Sequence, residues 1–195
     1  MIRKALIALA LPLAACATGS LGSADAPEPE ALPMAEEMPG PADGVFPSML
    51  AVGGDVIGLE GDAIGTLTGQ FGPHGLLIQV EIMAGGLTPG WHGLHLHQVG
   101  DCSDVGSFKL SGGHMGMIEG GHGLLNPKGP EIGDVPNIWA AADGSAGYEA
   151  FTNLVTPADL SDEDGTALII HANRDDHLTQ PIGGAGPRVA CAIIN

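Results

Sequence analysis

Short apolar stretches alternate with glycine-containing turns from residue 49 to the end of the chain. Residues 64–68 and 75–82 have the composition of strands, and the segment 71–74 between them has the glycine and proline of a turn. The same pattern predicts further strands at 94–97, 137–142, 149–154, 167–171 and 188–194. Since no helix of ordinary length is needed, the chain is predicted to be all-β, a sandwich or a barrel.

Two long segments, 98–136 and 172–187, interrupt this alternation. The first is rich in glycine and shows no periodicity. Loops of this length inside a compact domain are usually functional. We therefore predict that both segments are functional loops.

The first sixteen residues form a separate module. Arg3 and Lys4 precede an apolar stretch, 5–13, that is too short to span a bilayer, as in a signal peptide. The stretch ends in Leu13-Ala14-Ala15-Cys16, which resembles the lipobox of bacterial lipoproteins. This resemblance implies cleavage before Cys16 and diacylation of that cysteine, which would anchor the protein to a membrane. The alternative is an ordinary secretory signal in which the cysteine is incidental.

Residues 17–48 are rich in proline, alanine and glutamate and have little to bury. They are predicted to be a disordered tether between the lipid and a domain at 49–195. Ala17, rather than aspartate, follows the cysteine, which by analogy with lipoprotein sorting indicates the outer membrane. Together these features predict a periplasm-facing lipoprotein of a bacterial cell envelope.

The chain is strongly acidic, with a net charge of −17 and only six lysines and arginines. Because phosphate binding requires a basic face, the composition excludes nucleic acid as a partner. The 32 glycines and the 4% of aromatic residues agree with short strands and many turns rather than a helical bundle.

Six of the eight histidines fall between Trp91 and His171. His95 and His97 are two residues apart, so in an extended strand both imidazoles project from one side. The other members of the set are His114 and His122, each after a Gly-Gly pair, with Asp134 and His171. Imidazole and carboxylate are the ligands of zinc and copper, so this pattern predicts a two-metal site. His74 and His177 are predicted to be exposed loop residues.

Two cysteines, Cys102 and Cys191, lie within the domain. In an oxidising, exported setting a pair of cysteines is most simply a disulfide. Copper ligation by the two sulfurs is the alternative, although neither cysteine has a neighbouring residue at a metal-binding spacing.

The domain resembles the copper/zinc superoxide dismutases over essentially all of 49–195. Five runs carry the resemblance in family order, and they are 93–102, 111–114, 133–137, 170–171 and 186–191. The resemblance implies a Greek-key β-sandwich or flattened barrel of about eight antiparallel strands with two long functional loops. It also implies copper and zinc as cofactors and superoxide as the substrate.

The family's functional residues can be placed on this sequence one by one. His95, His97, His114 and His171 match copper ligands, and the ring of His114 matches the bridge between copper and zinc. His122 and Asp134 match zinc ligands. Cys102 and Cys191 match the family's disulfide, and Arg188 matches the arginine that holds the superoxide anion. Asp175 matches an aspartate that orients ligands of both metals. His92 matches a structural histidine that is not a ligand.

One position departs from the family pattern. The third zinc-binding histidine, three residues before Asp134, is replaced by Glu131. Zinc accepts glutamate oxygen, so Glu131 is a candidate zinc ligand. Weak or partial zinc binding and a vacant zinc site are the two alternatives.

The implied reaction is the dismutation of superoxide to dioxygen and hydrogen peroxide. In it Arg188 attracts the anion and His114 delivers a proton. The alternative is a copper-binding or copper-delivery lipoprotein on the same fold, without meaningful turnover.

Overall fold

A computed structural model describes residues 51–160 and 162–194. The predicted signal peptide, the candidate lipidation site Cys16 and the predicted tether therefore lie outside the described residues. Within the described part of the chain, no helix is long and apolar enough to cross a membrane.

The described residues form nine strands with little helix. The strands are β1 (Ala51–Gly58), β2 (Ala63–Gly72), β3 (Gly75–Ile82), β4 (Gly90–His92), β5 (Leu94–His97), β6 (Ile138–Ala140), β7 (Ala146–Thr152), β8 (Thr166–His171) and β9 (Arg188–Ile194). One 3-10 turn, Lys109–Ser111, and one four-residue helix, α1 (Pro157–Leu160), complete the secondary structure of this region.

Seven strands make one sheet in the order β5-β8-β9-β1-β2-β3-β7, and β4 pairs with β6 in a second sheet. The strand pairings are antiparallel. Several neighbours, such as β9 with β1 and β7 with β3, are distant in sequence, so long connections return to the sheet as in a Greek key. The predicted all-β antiparallel fold is confirmed.

The core follows the two-residue period of the strands. In β3, Leu76, Ile78, Val80 and Ile82 are buried on one face. In β8 every residue is buried, because Leu168 and Ile170 enter the main core while Ala167 and Ile169 pack against a second cluster around Phe108 and the two cysteines. β8 is thus enclosed on both faces, which holds its last residue, His171, in a fixed place.

The predicted strands 75–82 and 188–194 are confirmed at both ends. The predicted strand 149–154 is displaced, since β7 begins at Ala146. Ser145 donates through its backbone N–H and its hydroxyl to the carboxylate of Asp143, which ends the turn at Ser145. The predicted turn at 71–74 is two residues too long, because Phe71 and Gly72 belong to β2.

Candidate metal centre

Four buried histidines, His95, His97, His114 and His171, converge at one end of the sheet. One ring nitrogen of each lies within 4.8 Å of one on every other. Each ring also has a buried nitrogen without a hydrogen-bond partner, and these atoms are His95 Nδ1 and the Nε2 atoms of the other three. Unpartnered buried nitrogens are costly unless something binds them. Their convergence therefore marks a site for a cation.

Strand pairing brings these distant residues together. His95 and His97 of β5 lie beside Ile169 and Ala167 of β8, and His171 ends β8. An isolated bridge joins His97 to His114, which places the loop after β5 against that strand.

In each of the four histidines, the ring nitrogen that points away from the cluster lies within hydrogen-bond distance of a protein acceptor. His95 Nε2 lies 2.6 Å from Asp175 Oδ2, His97 Nδ1 3.0 Å from the Gly112 carbonyl, His171 Nδ1 2.8 Å from the Gly186 carbonyl, and His114 Nδ1 2.9 Å from Glu131 Oε2. A ring that donates through one nitrogen presents the lone pair of the other. The four lone pairs are thereby aimed into the cluster.

Burial keeps three of the four histidines, His95, His97 and His171, neutral. It lowers the pKa of His95 to about 4, of His97 to about 2 and of His171 to about 3. Arg188 adds to the lowering at His97 and His171. Neutral imidazole is the form that binds a metal, so these rings are ready as ligands at physiological pH.

A second cluster shares His114 and adds His122, Glu131 and Asp134, all buried. Asp134 Oδ2 accepts the backbone N–H groups of Gly123 and Glu131 at 2.7 and 2.9 Å. Its Oδ1 has no hydrogen-bond partner and lies 2.9 Å from His122 Nδ1, which is also unpartnered. Two imidazoles and two carboxylates therefore face one point.

Asp175 joins the two clusters. Its carboxylate lies 2.6 Å from His95 Nε2 and 3.2 Å from His122 Nε2. Asn137 holds the backbone of Asp175 through two hydrogen bonds of 2.9 Å. Burial alone would raise the pKa of Asp175, but its bonds with His122 and His95 outweigh burial and hold that pKa well below its usual range. An ionised Asp175 thus orients one ring of each cluster.

Arg188 lines a cavity of about 900 Å³ that reaches His97, His114 and His171. Its Nη1 donates to the Phe108 carbonyl at 2.5 Å and to Ser111 Oγ at 3.0 Å, and its Nη2 donates to the Gly112 carbonyl at 2.6 Å. These bonds fix the guanidinium and leave further N–H donors for an anion in the cavity.

A covalent bond joins the loop that carries Phe108, Ser111 and Gly112 to β9, the strand that begins with Arg188. Cys102 and Cys191 form a disulfide with their Cα atoms 5.8 Å apart. The predicted disulfide is confirmed, and the alternative of copper ligation by the cysteines is wrong.

Comparison with known proteins shows to which family the chain belongs. The family model described as copper/zinc superoxide dismutase (SODC) matches residues 64–194. The chain belongs to the copper/zinc superoxide dismutase family.

Individual relatives and solved structures agree with that assignment. The superoxide dismutase [Cu-Zn] of Caulobacter vibrioides is 48% identical over 143 residues, which cover 69% of this chain and 80% of the relative. Among solved structures, a SOD-like protein from Bacillus subtilis matches with a TM-score of 0.64 and 32% identity, covering 75% of this chain and 99% of that one. The Cu/Zn superoxide dismutase from Brucella abortus matches with a TM-score of 0.59 and 28% identity, covering 75% and 99%.

Copper and zinc, the metals of the copper/zinc superoxide dismutase family, fit the two clusters. Four convergent imidazole nitrogens without partners suit copper. The nitrogens of His114 and His122 with the oxygens of Asp134 and Glu131 suit zinc. Glu131, the departure from the family pattern, is 4% exposed and faces the second cluster rather than solvent.

His92 belongs to neither cluster. Its Nδ1 lies 2.7 Å from the His171 carbonyl and its Nε2 2.7 Å from the Thr88 carbonyl. His92 therefore ties the turn before β4 to the end of β8.

The structure also shows residues that the sequence did not indicate. His177, predicted to be exposed, is half-buried, because Asn137 donates to its Nε2 at 3.0 Å. Asn137 and Ser111 act as supports of Asp175 and Arg188. Single polar residues of this kind have no sequence signal, since their role depends on what the fold places beside them.

Proposed function

We propose that this domain dismutates superoxide to dioxygen and hydrogen peroxide at a copper ion held by His95, His97, His114 and His171. The observation that carries the proposal is the convergence of four buried, unpartnered imidazole nitrogens on a cavity that Arg188 lines, in a member of this family. Bound copper would supply the alternating one-electron reduction and oxidation that the reaction requires.

The protein's own residues bring the substrate and the protons. Arg188 supplies a fixed positive charge for a small anion, which matters in a chain of net charge −17 because attraction must be local. The ring of His114 points its Nε2 toward the first cluster and its Nδ1 toward the second. His114 also lines the cavity. A proton held at His114 Nε2 is therefore within reach of the reduced oxygen species formed there.

A superoxide-consumption assay on the copper-loaded protein tests this proposal. Wild type is expected to consume superoxide in a copper-dependent manner, and His171→Ala is expected to lose that activity. His74→Ala is the matched control, because His74 is exposed and outside both clusters. Tight copper binding without turnover would instead favour the alternative of a copper-binding or copper-delivery lipoprotein.

We further propose that His114, His122, Asp134 and Glu131 hold the zinc ion. The support is that all four are buried and each offers a ligand atom within 4.8 Å of the others. Metal analysis after refolding with excess zinc is expected to give one zinc per chain. Absence of bound zinc would remove His122, Asp134 and Glu131 from the set of ligands.

Zinc binding is expected to strengthen as the pH rises. Burial alone would lower the pKa of His122, but Asp134 and Asp175 outweigh it and raise that pKa to about 10 in the metal-free protein. Zinc needs a deprotonated nitrogen, so below that pKa each zinc displaces one proton. The apparent dissociation constant should therefore fall about tenfold for each pH unit between about 6 and 8.

Isothermal titration of zinc in buffers of different ionisation enthalpy measures both the affinity and the number of protons released. Asp175→Asn removes one of the two carboxylates beside His122 and should weaken the pH dependence. A zinc affinity that does not change between pH 6 and pH 8 would contradict this expectation.

We also propose that the domain is held at a bacterial membrane, facing the periplasm, by lipid on Cys16. The support is the lipobox-like Leu13-Ala14-Ala15-Cys16, the tether-like composition of 17–48 and the Cys102–Cys191 disulfide, which suits an oxidising compartment. By analogy with lipoprotein sorting, Ala17 favours the outer membrane.

Metabolic labelling with a palmitate analogue tests the anchor. Wild type should take up label and fractionate with membranes, whereas Cys16→Ala should do neither. The variant keeps Cys102 and Cys191, so retained label would show attachment elsewhere and would refute the anchor at Cys16.

A further inference from the structure

Both carboxylate oxygens of Glu131 have a partner in the protein itself. Its Oε2 lies 2.9 Å from His114 Nδ1, and its Oε1 accepts the backbone N–H of Ile118 at 3.1 Å. Glu131 is 4% exposed, so little water can reach either contact. Glu131 is therefore fixed by the backbone on one oxygen and holds the His114 ring with the other.

His114 differs from His95, His97 and His171 in the surroundings of the ring nitrogen that points away from the proposed copper site. His95, His97 and His171 have their far nitrogens hydrogen-bonded to Asp175 or to backbone carbonyls. The far nitrogen of His114 points into the second cluster, where zinc is proposed to bind. Among the described residues, Glu131 is the one hydrogen-bond acceptor of His114 Nδ1, and the neighbouring carboxylate oxygen Asp134 Oδ1 lies farther away, at 3.6 Å.

We propose that Glu131 is a positioning residue that holds His114 in the absence of zinc, so that the copper site is assembled before zinc binds. The inference rests on the proposed copper site. In the zinc-free protein His114 Nδ1–H donates to Glu131 Oε2, and this tautomer leaves the Nε2 lone pair aimed at the other three copper ligands. In the copper-loaded protein, zinc would replace the Nδ1 proton, which would pass to solvent, and His114 Nδ1 and Glu131 Oε2 would both be zinc ligands.

A carboxylate suits this double role better than the histidine of the family pattern. A neutral imidazole has one acceptor nitrogen, whereas a carboxylate accepts at two oxygens. Glu131 therefore receives the N–H groups of Ile118 and His114 together. A histidine at this position would bind zinc but could not accept both bonds.

Copper binding to zinc-free, full-length protein tests the proposal. Competition titration gives the copper affinity, and the nitrogen hyperfine structure in electron paramagnetic resonance reports which imidazoles bind. Wild type should show a single copper signal with histidine nitrogen coordination. Glu131→Gln and Glu131→His should each bind copper about 10- to 100-fold more weakly and give an altered or mixed signal.

Two controls separate positioning from other effects. Glu119→Gln makes the same chemical change at an exposed residue that lines the same cavity, and it should behave as wild type. Adding zinc to Glu131→His, which then has a full set of family ligands, should return its copper affinity and spectrum to those of wild type. This variant also keeps the test available if Glu131→Gln does not fold.

Wild-type copper affinity and an unchanged spectrum in both zinc-free Glu131→Gln and zinc-free Glu131→His would overturn the proposal. Failure of the proposed function would be a different result, namely absence of superoxide consumption by wild type loaded with both metals. The two failures are read in different measurements and cannot be confused.

Discussion

Arg188→Glu is expected to lower kcat/KM for superoxide at least about a hundredfold. The guanidinium lies at the cavity that reaches His97, His114 and His171, and three hydrogen bonds hold it there. At about 4 Å, and at the dielectric typical of a protein surface, two unit charges interact by about 4 kcal/mol, so reversing the sign turns attraction into repulsion of similar size. A hundredfold change in rate corresponds to about 2.7 kcal/mol, well within that range.

Pulsed generation of superoxide at low ionic strength, with equal copper content in each variant, measures this effect. Arg188→Lys keeps the charge but loses the planar group that binds Phe108, Ser111 and Gly112, so its loss should be smaller. Lys109→Glu reverses a charge on the same cavity at an exposed site and should also have a smaller effect. An unchanged rate for Arg188→Glu would remove the anion-guiding role.

Replacing both disulfide cysteines, Cys102→Ser with Cys191→Ser, is expected to lower the free energy of unfolding by about 2–5 kcal/mol. The bond closes a sequence separation of 89 residues, for which the chain-entropy model gives about 4–5 kcal/mol. The same bond ties the loop of Phe108 and Gly112 to β9. Its loss should therefore also loosen the hold on Arg188 and reduce the dismutase rate of the folded protein.

Denaturant unfolding of the metal-free proteins measures the stability change without a contribution from metal binding. Wild type under reducing conditions is the internal control, and it should unfold at the same denaturant concentration as the double variant. A stability difference below about 1 kcal/mol would show that the loop is held by its packing around Phe108 rather than by the covalent bond.

Local pattern predicted some strands better than others. The segments 75–82 and 188–194 are continuous or alternating apolar runs, and their bounds could be read directly. β1 carried no such signal, because Gly53, Gly54 and Asp55 interrupt it. Its pairing with β2 instead requires the glycine, since a Cβ at Gly53 would overlap the Leu67 carbonyl. The need for glycine in β1 comes from β2, so the residues of β1 alone do not predict that β1 is a strand.

The sequence by itself determined the fold class, the kinds of ligand and the spacing of His95 and His97, because side-chain alternation and residue chemistry are local properties. Only the tertiary structure decided which groups meet across long separations. It placed Glu131 against His114, Asn137 against the backbone of Asp175, and the carbonyls of Phe108 and Gly112 on Arg188. These contacts depend on how two long loops close over the sheet, and a loop's path is set by the surfaces on which it packs rather than by its own residues.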